Sequence, residues 1–353
     1  MRKRTETKKV MIKDLQIGAQ NKVVIQTMTT SRAKNIKETV KEINTYVTHG
    51  AEIVRLAILD EADALAIKEI KAQTNVPLVA DIHFDYRLAL LSIKQGIDKI
   101  RINPGNIGSD ENVKKVVEAC KKNNVPIRIG VNAGSLEKDI LKEFGRTARG
   151  MVESAKRHVK ILEDLDFQEI LISLKASEVT LTVEAYRLAA QTFPYPLHIG
   201  ITESGPLYQG LIASSAGLGA LLVDGIGDTI RISLSAPRIE EIKACKTLLA
   251  QFNLYKQSRI IACPTCGRLQ YDMAPVVKKV EDYLNTHDIN ITVAVMGCAV
   301  NGPGEARDAD IGVAGGKDEG LIFVKGKIKR KVAQSELFET LIEEIEHFNQ
   351  QDA

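Results

Sequence analysis

Ile100-Arg101-Ile102-Asn103 alternates aliphatic and polar residues, which is typical of a β-strand with two different faces. Successive side chains of a β-strand point to opposite faces, so the two isoleucines share one face and Arg101 and Asn103 share the other. The same alternation recurs in four further segments, around Arg55, Arg128, Lys175 and Arg231. Because the aliphatic faces must pack against helices, the charged faces are predicted to point into a common interior.

Between residues 22 and 235, short β-rich segments alternate with longer segments of helical periodicity. Eight strands are predicted: Val23–Met28, Glu52–Ile58, Pro77–His83, Lys99–Gly105, Pro126–Asn132, Glu169–Lys175, Pro196–Thr202 and Thr229–Ser235. This alternation indicates a parallel sheet, and eight repeats predict an N-terminal (β/α)8 TIM barrel. The alternative is an open doubly wound sheet, which normally has a glycine-rich loop after its first strand. Gln26-Thr-Met-Thr-Thr30 contains no glycine, which favours the barrel.

Five basic side chains converge on the predicted barrel interior, which in this fold is usually filled by aliphatic residues. They are Arg55, Arg101, Arg128, Lys175 and Arg231. Buried like charges repel one another and lose their hydration unless an anion pairs with them. Because guanidinium groups bind phosphate bidentately, a diphosphate is the expected ligand. The residues expected to orient its organic part are Asp81, His83, Asn103, Asn132, Glu203 and Ser233.

Three cysteines mark the C-terminal part of the chain, in Cys263-Pro-Thr-Cys266 and in Cys298-Ala-Val-Asn-Gly-Pro-Gly-Glu305. Three thiolates do not complete the four-coordinate zinc site of a structural metal. Iron–sulfur clusters take their ligands mainly from cysteine, and three cysteines with a weaker oxygen ligand leave one iron exchangeable. Zinc with His287 as the fourth ligand is an open alternative, and so is a plain thiol pair.

The composition narrows the class of protein. The 353 residues carry a net charge of +3, with 44% hydrophobic and 26% charged residues, as in ordinary globular proteins rather than nucleic-acid binders. No apolar stretch approaches the roughly 18 residues of a membrane span, and the basic N-terminus lacks the apolar core of a signal peptide. Five cysteines in this length argue against a disulfide framework. A cytoplasmic protein that binds neither nucleic acid nor membrane is predicted.

Two domains are predicted, a TIM barrel over residues 1–257 and a smaller α+β iron–sulfur domain over residues 258–353. The last barrel helix is expected at Pro237–Leu254. The basic tract Lys325–Lys331 is expected to be a solvated strand or turn. Further elements expected in the smaller domain are a helix at Ala274–Leu284, strands at Ile291–Val295 and Gly320–Lys325, and a terminal helix at Ser335–Asn349.

With barrel and cysteine motif placed, the sequence resembles the bacterial two-domain hydroxymethylbutenyl diphosphate synthases, iron–sulfur enzymes of the non-mevalonate isoprenoid pathway. The resemblance spans nearly the whole chain. The motifs that carry it are Cys263-Pro-Thr-Cys266-Gly-Arg, Cys298-Ala-Val-Asn301-Gly-Pro-Gly-Glu305-Ala, Val79-Ala-Asp81-Ile-His83-Phe, Lys99-Ile-Arg101-Ile-Asn103-Pro-Gly-Asn and Gly200-Ile-Thr-Glu203.

The resemblance implies a [4Fe–4S] cluster held by Cys263, Cys266, Cys298 and Glu305. It implies 2-C-methyl-D-erythritol 2,4-cyclodiphosphate as substrate, opened and reductively dehydroxylated to 4-hydroxy-3-methylbut-2-enyl diphosphate. Flavodoxin or ferredoxin supplies the two electrons singly. Family members form homodimers in which the cluster domain of one subunit caps the barrel of the other.

The resemblance also assigns roles to individual residues. The implied diphosphate contacts are Arg55, Arg101, Arg128, Lys175, Arg231 and Ser233. The implied contacts to substrate hydroxyls or phosphates are Asp81, Asn103, Asn132, Glu203 and Asn301. The candidate catalytic residues are Glu305, Glu203 and Asp81. Two alternatives stay open: a dihydropteroate-synthase-like barrel enzyme with an appended zinc domain, and a non-catalytic iron–sulfur sensor of an anionic metabolite.

Overall fold

The computed structural model describes residues 1–103, 107–287, 289–298, 304 and 307–351. The chain divides into two compact units, Met1–Tyr255 and Lys256–Ala353. In the part of the chain that is described, none of the helices has both the length and the apolar character needed to cross a membrane.

The first unit is a parallel barrel preceded by a short antiparallel hairpin, β1 (Val10–Ile12) and β2 (Leu15–Ile17). The barrel strands are β3 (Val24–Met28), β4 (Ile53–Ala57), β5 (Leu78–Asp81), β6 (Lys99–Ile102), β7 (Ile127–Asn132), β8 (Ile170–Lys175), β9 (His198–Ile199) and β10 (Thr229–Ile230). Neighbours pair in parallel in the order β8-β7-β6-β5-β4-β3-β10-β9. A parallel bridge between Ile172 and Leu197 joins the two ends. The predicted (β/α)8 barrel is therefore confirmed, although β9 and β10 are shorter than predicted.

Helices surround the strands, and the outward strand faces pack against them. The helices are α1 (Ile36–Thr48), α2 (Glu61–Ala72), α3 (Tyr86–Lys94), α4 (Asp110–Asn123), α5 (Lys138–Phe144), α6 (Ala148–Asp164), α7 (Val179–Thr192), α8 (Leu207–Val223) and α9 (Arg238–Gln251). Ile100, Ile102, Ile127 and Ile129 belong to the main apolar core and are fully buried. The alternation that predicts aliphatic side chains outside and charged side chains inside is confirmed.

The hairpin seals the amino-terminal end of the barrel, a feature that was not predicted. Its apolar side chains form a buried cluster with the first inward-facing residue of several strands: Val10, Ile12, Ile17, Val24, Ile53, Val79 and Leu171. Thr7 Oγ1 donates to one oxygen of Asp228 at 2.8 Å, and the Leu197 N–H donates to the other at 2.7 Å. Burial raises the pKa of Asp228 to about 7. Because the apolar hairpin closes the amino-terminal end of the barrel, the polar interior lies toward the carboxyl ends of the strands.

A tyrosine reinforces the seam between β8 and β9, where only one backbone pair forms. The Tyr186 hydroxyl donates to the His198 carbonyl at 2.6 Å and accepts from the Leu174 N–H at 3.1 Å. Burial raises the pKa of Tyr186, so the hydroxyl keeps its proton and remains a donor. The side chain thus replaces a strand-to-strand hydrogen bond beside Lys175.

The second unit is a five-stranded mixed sheet with helices packed against it. Its elements are β11 (Arg259–Ala262), α10 (Met273–His287), β12 (Thr292–Met296), β13 (Ile311–Gly315), β14 (Glu319–Val324), β15 (Lys327–Ala333) and α11 (Leu337–Gln351). β11, β12 and β13 run parallel, whereas β14 and β15 continue the sheet antiparallel. Val280 of α10 and Leu341 of α11 pack on Val293 of the sheet. The α+β class is confirmed.

Three strands of this unit were missed at the sequence level or left ambiguous. β13 contains two glycines, which lower the strand propensity of Ile311–Gly315. A Cβ atom on Gly315 would lie 2.0 Å from the Tyr271 ring, so close packing requires glycine there. β11 is only four residues long. The basic tract is strand β15, and its side chains are mostly exposed, as expected of a solvated strand.

Candidate active site

The inward-facing polar side chains of the barrel fall into two sets that differ in depth. The first set, here called the mouth group, is slightly exposed and consists of Arg55, Asp81, Arg101, Lys175 and Arg231. The second set, here called the inner group, is at most 2% exposed and consists of Gln26, Lys99, Arg128, Ser173, His198 and Thr229. The five basic residues predicted to face the interior all lie in these two groups.

Asp81 is the carboxylate at the centre of the mouth group. Its oxygens lie 3.1 Å from Arg101 Nη1 and 3.5 Å from Arg55 Nε. Burial alone raises the pKa of a carboxyl group, but the charges of Arg55, Arg101 and Arg128 outweigh it. The pKa of Asp81 is consequently held well below its usual range. Asp81 is a permanent anion that positions two guanidinium groups.

His83 is tied to the same centre. Arg101 Nη1 donates to His83 Nε2 at 2.7 Å. Because a guanidinium can only donate, His83 Nε2 accepts, and its proton sits on Nδ1. Burial lowers the pKa of His83, and the neighbouring Arg101 and Arg55 lower it further against the opposing effect of Asp81. The ring is therefore neutral and offers one N–H at the barrel mouth.

Arg101 reaches across the barrel wall because β7 has no side chain at Gly130. The guanidinium donates to the Gly130 carbonyl at 3.2 Å, and a Cβ atom at this position would lie 2.4 Å from Arg101 Nε. A similar gap exists directly after β9, where a Cβ atom on Gly200 would lie 3.0 Å from Lys175 Nζ. Glycine inside a strand often marks such a close approach. From the sequence, Gly200 entered only as part of a family motif and Gly130 was given no role, although their inward positions in the strand pattern are a usable signal.

Lys175 differs from its neighbours because no hydrogen bond or ion pair joins it to any other described residue. Its side chain is 8% exposed. Burial lowers its pKa well below the usual value, and the charges of Arg128, Arg55 and Arg231 add to this effect. A buried ammonium group without a carboxylate is costly for the folded chain. Lys175 is thus the basic residue most clearly prepared for an external anion.

Two further arginines make weak contacts: Arg55 lies beside a thioether sulfur, and Arg231 lies at the long end of ion-pair distance from a carboxylate. Arg55 Nε and Nη2 lie 3.3 and 3.1 Å from the Met28 sulfur. Burial lowers the pKa of Arg55 to about 10. Arg231 Nε lies 3.5 Å from Glu241, and burial lowers the Arg231 pKa as well. A thioether is a weak acceptor, so these guanidinium groups retain capacity for a stronger one.

Positive charge exceeds negative charge in the barrel interior. Six basic side chains lie in the two groups, because Lys99 joins the five that were predicted. Among the described residues only Asp81 and Glu241 approach them as carboxylates. Buried nitrogens of Arg101, Arg128 and Arg231 also lack a hydrogen-bond partner in that part of the chain. The arrangement is suited to a multiply charged anion with several acceptor oxygens.

The remaining predicted residues lie around the mouth. Asn103 follows β6, and its side-chain oxygen is buried without a described partner. Asn132 ends β7, and both Asn132 and Ser233 are half-buried. Glu203 follows β9, is exposed, and has a left-handed backbone with φ of 52°. Asn301 and Glu305 lie outside the described residues.

The cysteines of the second unit follow two adjacent parallel strands. Cys263 comes directly after β11, and Cys298 comes two residues after β12, so both leave the same edge of the sheet. The Gly297 N–H donates to Cys263 Sγ at 3.2 Å. Hydrogen bonds from the Arg268 backbone and side chain lower the pKa of Cys266. Amide donors that favour thiolate sulfur fit the ligands of an iron–sulfur cluster.

For the barrel cysteines the effect of burial is the dominant one. Burial raises the pKa of Cys245 to about 12 and raises that of Cys120 as well. Within the described residues, no group of three or more His, Cys, Asp or Glu side chains is arranged to hold a metal ion. His287, the fourth ligand of the zinc alternative, stacks on Tyr283 at the end of α10. The hydrogen-bond donors at Cys263 and Cys266 suit cluster ligands better than inert thiols.

Comparison with known protein families establishes the family of this chain. The GcpE TIM-barrel domain matches residues 7–246, and the GcpE protein C-terminal domain matches residues 259–347. The chain belongs to the GcpE family. Both matched segments of this GcpE-family chain coincide with the two units seen in the structure.

Curated relatives of the GcpE-family chain are similar over nearly their whole length. A protein of Exiguobacterium sibiricum is 56% identical over 345 residues, which are 97% of this chain and 94% of the relative. A protein of Macrococcus caseolyticus is 56% identical over 357 residues, which are 99% of this chain and 96% of the relative. Both are named 4-hydroxy-3-methylbut-2-en-1-yl diphosphate synthase (flavodoxin).

A solved structure supports the fold alone. The dihydropteroate synthase of Yersinia pestis superposes with a TM-score of 0.50 at 13% identity, covering 69% of this chain and 98% of that chain. At this identity the likeness establishes a shared barrel and says nothing about chemistry. Neither the family matches nor the curated relatives support the zinc enzyme or the sensor.

Proposed function

We propose that this chain is a 4-hydroxy-3-methylbut-2-en-1-yl diphosphate synthase. In this reaction 2-C-methyl-D-erythritol 2,4-cyclodiphosphate is opened and reductively dehydroxylated with two electrons. Relatives that are 56% identical across nearly the whole chain carry this name. The observation that carries the proposal is the barrel mouth, where Asp81 holds Arg55 and Arg101 and where Lys175 has no partner among the described residues, an arrangement suited to a multiply charged anion.

The basic residues of the barrel are proposed to hold the diphosphate. Ring opening breaks one of the two carbon–oxygen bonds to the diphosphate, which stays attached through the other bond and gains negative charge. Preorganised cations stabilise that charge as it develops and cost no reorganisation at the moment of reaction. The proposed diphosphate contacts are Arg55, Arg101, Arg128, Lys175, Arg231 and Ser233. Gly130 and Gly200 keep the space in which Arg101 and Lys175 reach the ligand.

The polar residues at the mouth are proposed to orient the carbon skeleton. Asp81 remains anionic and fixes the guanidinium groups of Arg55 and Arg101. His83 is held by Arg101, so its Nδ1–H is directed by that contact and can donate to a substrate hydroxyl. The hydroxyl leaves as water after taking up a proton. Further proposed contacts are Asn103, Asn132, Glu203 and Asn301, with Asp81, Glu203 and Glu305 as candidate catalytic residues.

Cys263, Cys266 and Cys298 are proposed to hold a [4Fe–4S] cluster together with Glu305. When bound, such a cluster supplies electrons one at a time to the reacting substrate. The residues of the chain contribute the sulfur ligands and hydrogen bonds to those sulfurs, such as the bond from the Gly297 N–H to Cys263. Residues 1–257 would then form the substrate domain and residues 258–353 the cluster domain.

The remaining proposals concern the surroundings of the enzyme. We propose flavodoxin as the electron donor, because it stands in the names of the curated relatives; ferredoxin is the alternative. We propose a cytoplasmic location, which is supported by the biosynthetic role and by the small number of cysteines. No nucleic-acid or membrane partner is proposed.

An anaerobic assay tests the proposed function directly. The purified protein, reconstituted with iron and sulfide, is given cyclodiphosphate and reduced flavodoxin. We expect formation of 4-hydroxy-3-methylbut-2-enyl diphosphate with two flavodoxin hydroquinones oxidised to the semiquinone for each product formed. A reconstituted protein that binds cyclodiphosphate yet leaves it unchanged with reduced flavodoxin and reduced ferredoxin would support the sensor alternative.

A mixed-subunit experiment tests the proposed homodimer. If the cluster domain of one subunit serves the barrel of the other, a Cys298→Ser subunit and an Arg101→Ala subunit complement each other. One of the two sites of the heterodimer is then intact, so we expect about half of the wild-type turnover per dimer. The two homodimeric variants are the controls and are expected to be inactive. Absence of recovery in purified heterodimers would show that each chain serves its own barrel.

A further inference from the structure

Part of the inner group has no role in the proposed reaction. Lys99 is fully buried on β6, and it was not among the residues predicted to face the interior. Its one hydrogen bond among the described residues joins Lys99 Nζ to Gln26 Oε1, at 3.4 Å. No carboxylate in the described ranges lies within ion-pair distance of it. Burial lowers the pKa of Lys99 well below its usual value, and the charges of Arg128 and Arg55 lower it further.

The neighbours of Lys99 offer donors that have no partner. Gln26 Nε2 and both Arg128 Nε and Arg128 Nη2 are buried without a hydrogen bond in the described part of the chain. Within the described ranges Arg128 donates through Nη1 alone, to Ser173 Oγ at 3.1 Å. Gln26 and Arg128 are each 1% exposed, so bulk water cannot satisfy these donors. Unpaired buried donors are costly, and a ligand or ordered water is the usual explanation.

His198 adds a fourth side chain to this place. Its Nδ1 lies 2.7 Å from Thr229 Oγ1, and its Nε2 is buried without a described partner. Burial lowers the pKa of His198, and the charges of Lys175, Arg128 and Lys99 do so as well. The ring is therefore neutral. When Nδ1 accepts from the Thr229 hydroxyl, Nε2 carries a proton and is a further buried donor of the inner group.

This chemistry selects the ligand. Two basic side chains and donors on Gln26 and His198 repel a metal cation, whereas an anion neutralises the charge and accepts the hydrogen bonds. We propose that the barrel contains a small-anion site beneath the mouth group, in which Lys99, Gln26 and His198 bind a monovalent anion of the halide class and Arg128 is shared between this anion and the diphosphate. The site lies between the apolar hairpin plug and the mouth group, and its occupation does not depend on the proposed reaction.

Bromide replaces chloride in such a site and can be located by anomalous diffraction from crystals of the holoenzyme grown in sodium bromide. We expect a bromide peak within hydrogen-bond distance of Lys99 Nζ and an Arg128 nitrogen. The peak should persist in Arg101→Ala, which disrupts the mouth group, and after addition of cyclodiphosphate. A peak confined to the mouth group that cyclodiphosphate displaces, or only water beside Lys99, would overturn the proposal.

Thermal unfolding provides a test in solution. An anion that binds the folded chain alone raises its melting temperature with concentration. On replacing gluconate by chloride at constant ionic strength, we expect the melting temperature of the holoenzyme to rise by roughly 2 °C or more. Lys99→Met keeps the length of the side chain and removes the charge, so the chloride effect should disappear. Lys94→Met, an exposed position on α3, is the matched control and should retain it. Equal chloride effects in Lys99→Met and wild type would refute the site.

Discussion

Replacing Cys263 by serine is expected to abolish turnover while the barrel continues to bind cyclodiphosphate. Cys263 follows β11 directly, and its sulfur accepts the Gly297 N–H at 3.2 Å. A serine hydroxyl is a poor substitute for a thiolate ligand at iron. Because changes even beyond the direct ligands weaken metal sites 10–100-fold, we expect a loss of more than roughly 100-fold in turnover. Iron and sulfide content and the visible absorption of the cluster are measured alongside.

Cys245→Ala is the matched control for this change. Cys245 is a buried barrel thiol whose pKa is raised to about 12, which makes it a packing residue rather than a ligand. We expect cluster content and turnover near those of the wild type, at some cost in stability. Full iron content and near-normal turnover in Cys263→Ser would remove Cys263 from the ligand set. Equal loss in both variants would indicate a general folding defect instead.

Replacing Lys175 by methionine is expected to weaken substrate capture without weakening the fold. Loss of one hydrogen bond to a charged group costs roughly 1.5–3 kcal/mol, so kcat/KM should fall about 10- to 150-fold. Lys175 has no partner among the described residues, and an uncharged side chain of similar volume relieves the burial of its charge. The melting temperature of the ligand-free variant should therefore equal or exceed that of the wild type.

The opposite signs of these two effects make the Lys175 experiment specific. A lysine with a purely structural role would lose stability on replacement, and its loss would leave the dissociation constant of cyclodiphosphate unchanged. Lys37→Met, on the exposed face of α1, controls for the general loss of one positive charge. Isothermal titration with cyclodiphosphate in the absence of an electron donor separates capture from turnover. An unchanged affinity in Lys175→Met would contradict the diphosphate cradle.

Much of the barrel could be predicted because the alternation of residues is a local property. Ile100-Arg101-Ile102 carries its own signal, since neighbouring strand side chains point to opposite faces. Lys99 points inward like Arg101, but it is the first residue of its strand. The alternating pattern becomes recognisable only in the residues that follow it. The hairpin β1–β2 was missed because three-residue strands carry too little pattern to recognise.

The site was predicted as a set of residue types, and the tertiary structure decided how they work together. The sequence by itself determined which side chains are basic, which face inward, and that three cysteines follow the barrel, because charge and strand parity belong to each short segment. Only the closed barrel decided that Asp81 pairs with Arg55 and Arg101 while Lys175 has no described partner. Those contacts join strands that are distant in sequence, and their electrostatic effect depends on burial that no local pattern encodes. The space that Gly130 leaves for Arg101 likewise depends on the distance between two neighbouring strands, which is a property of the folded barrel.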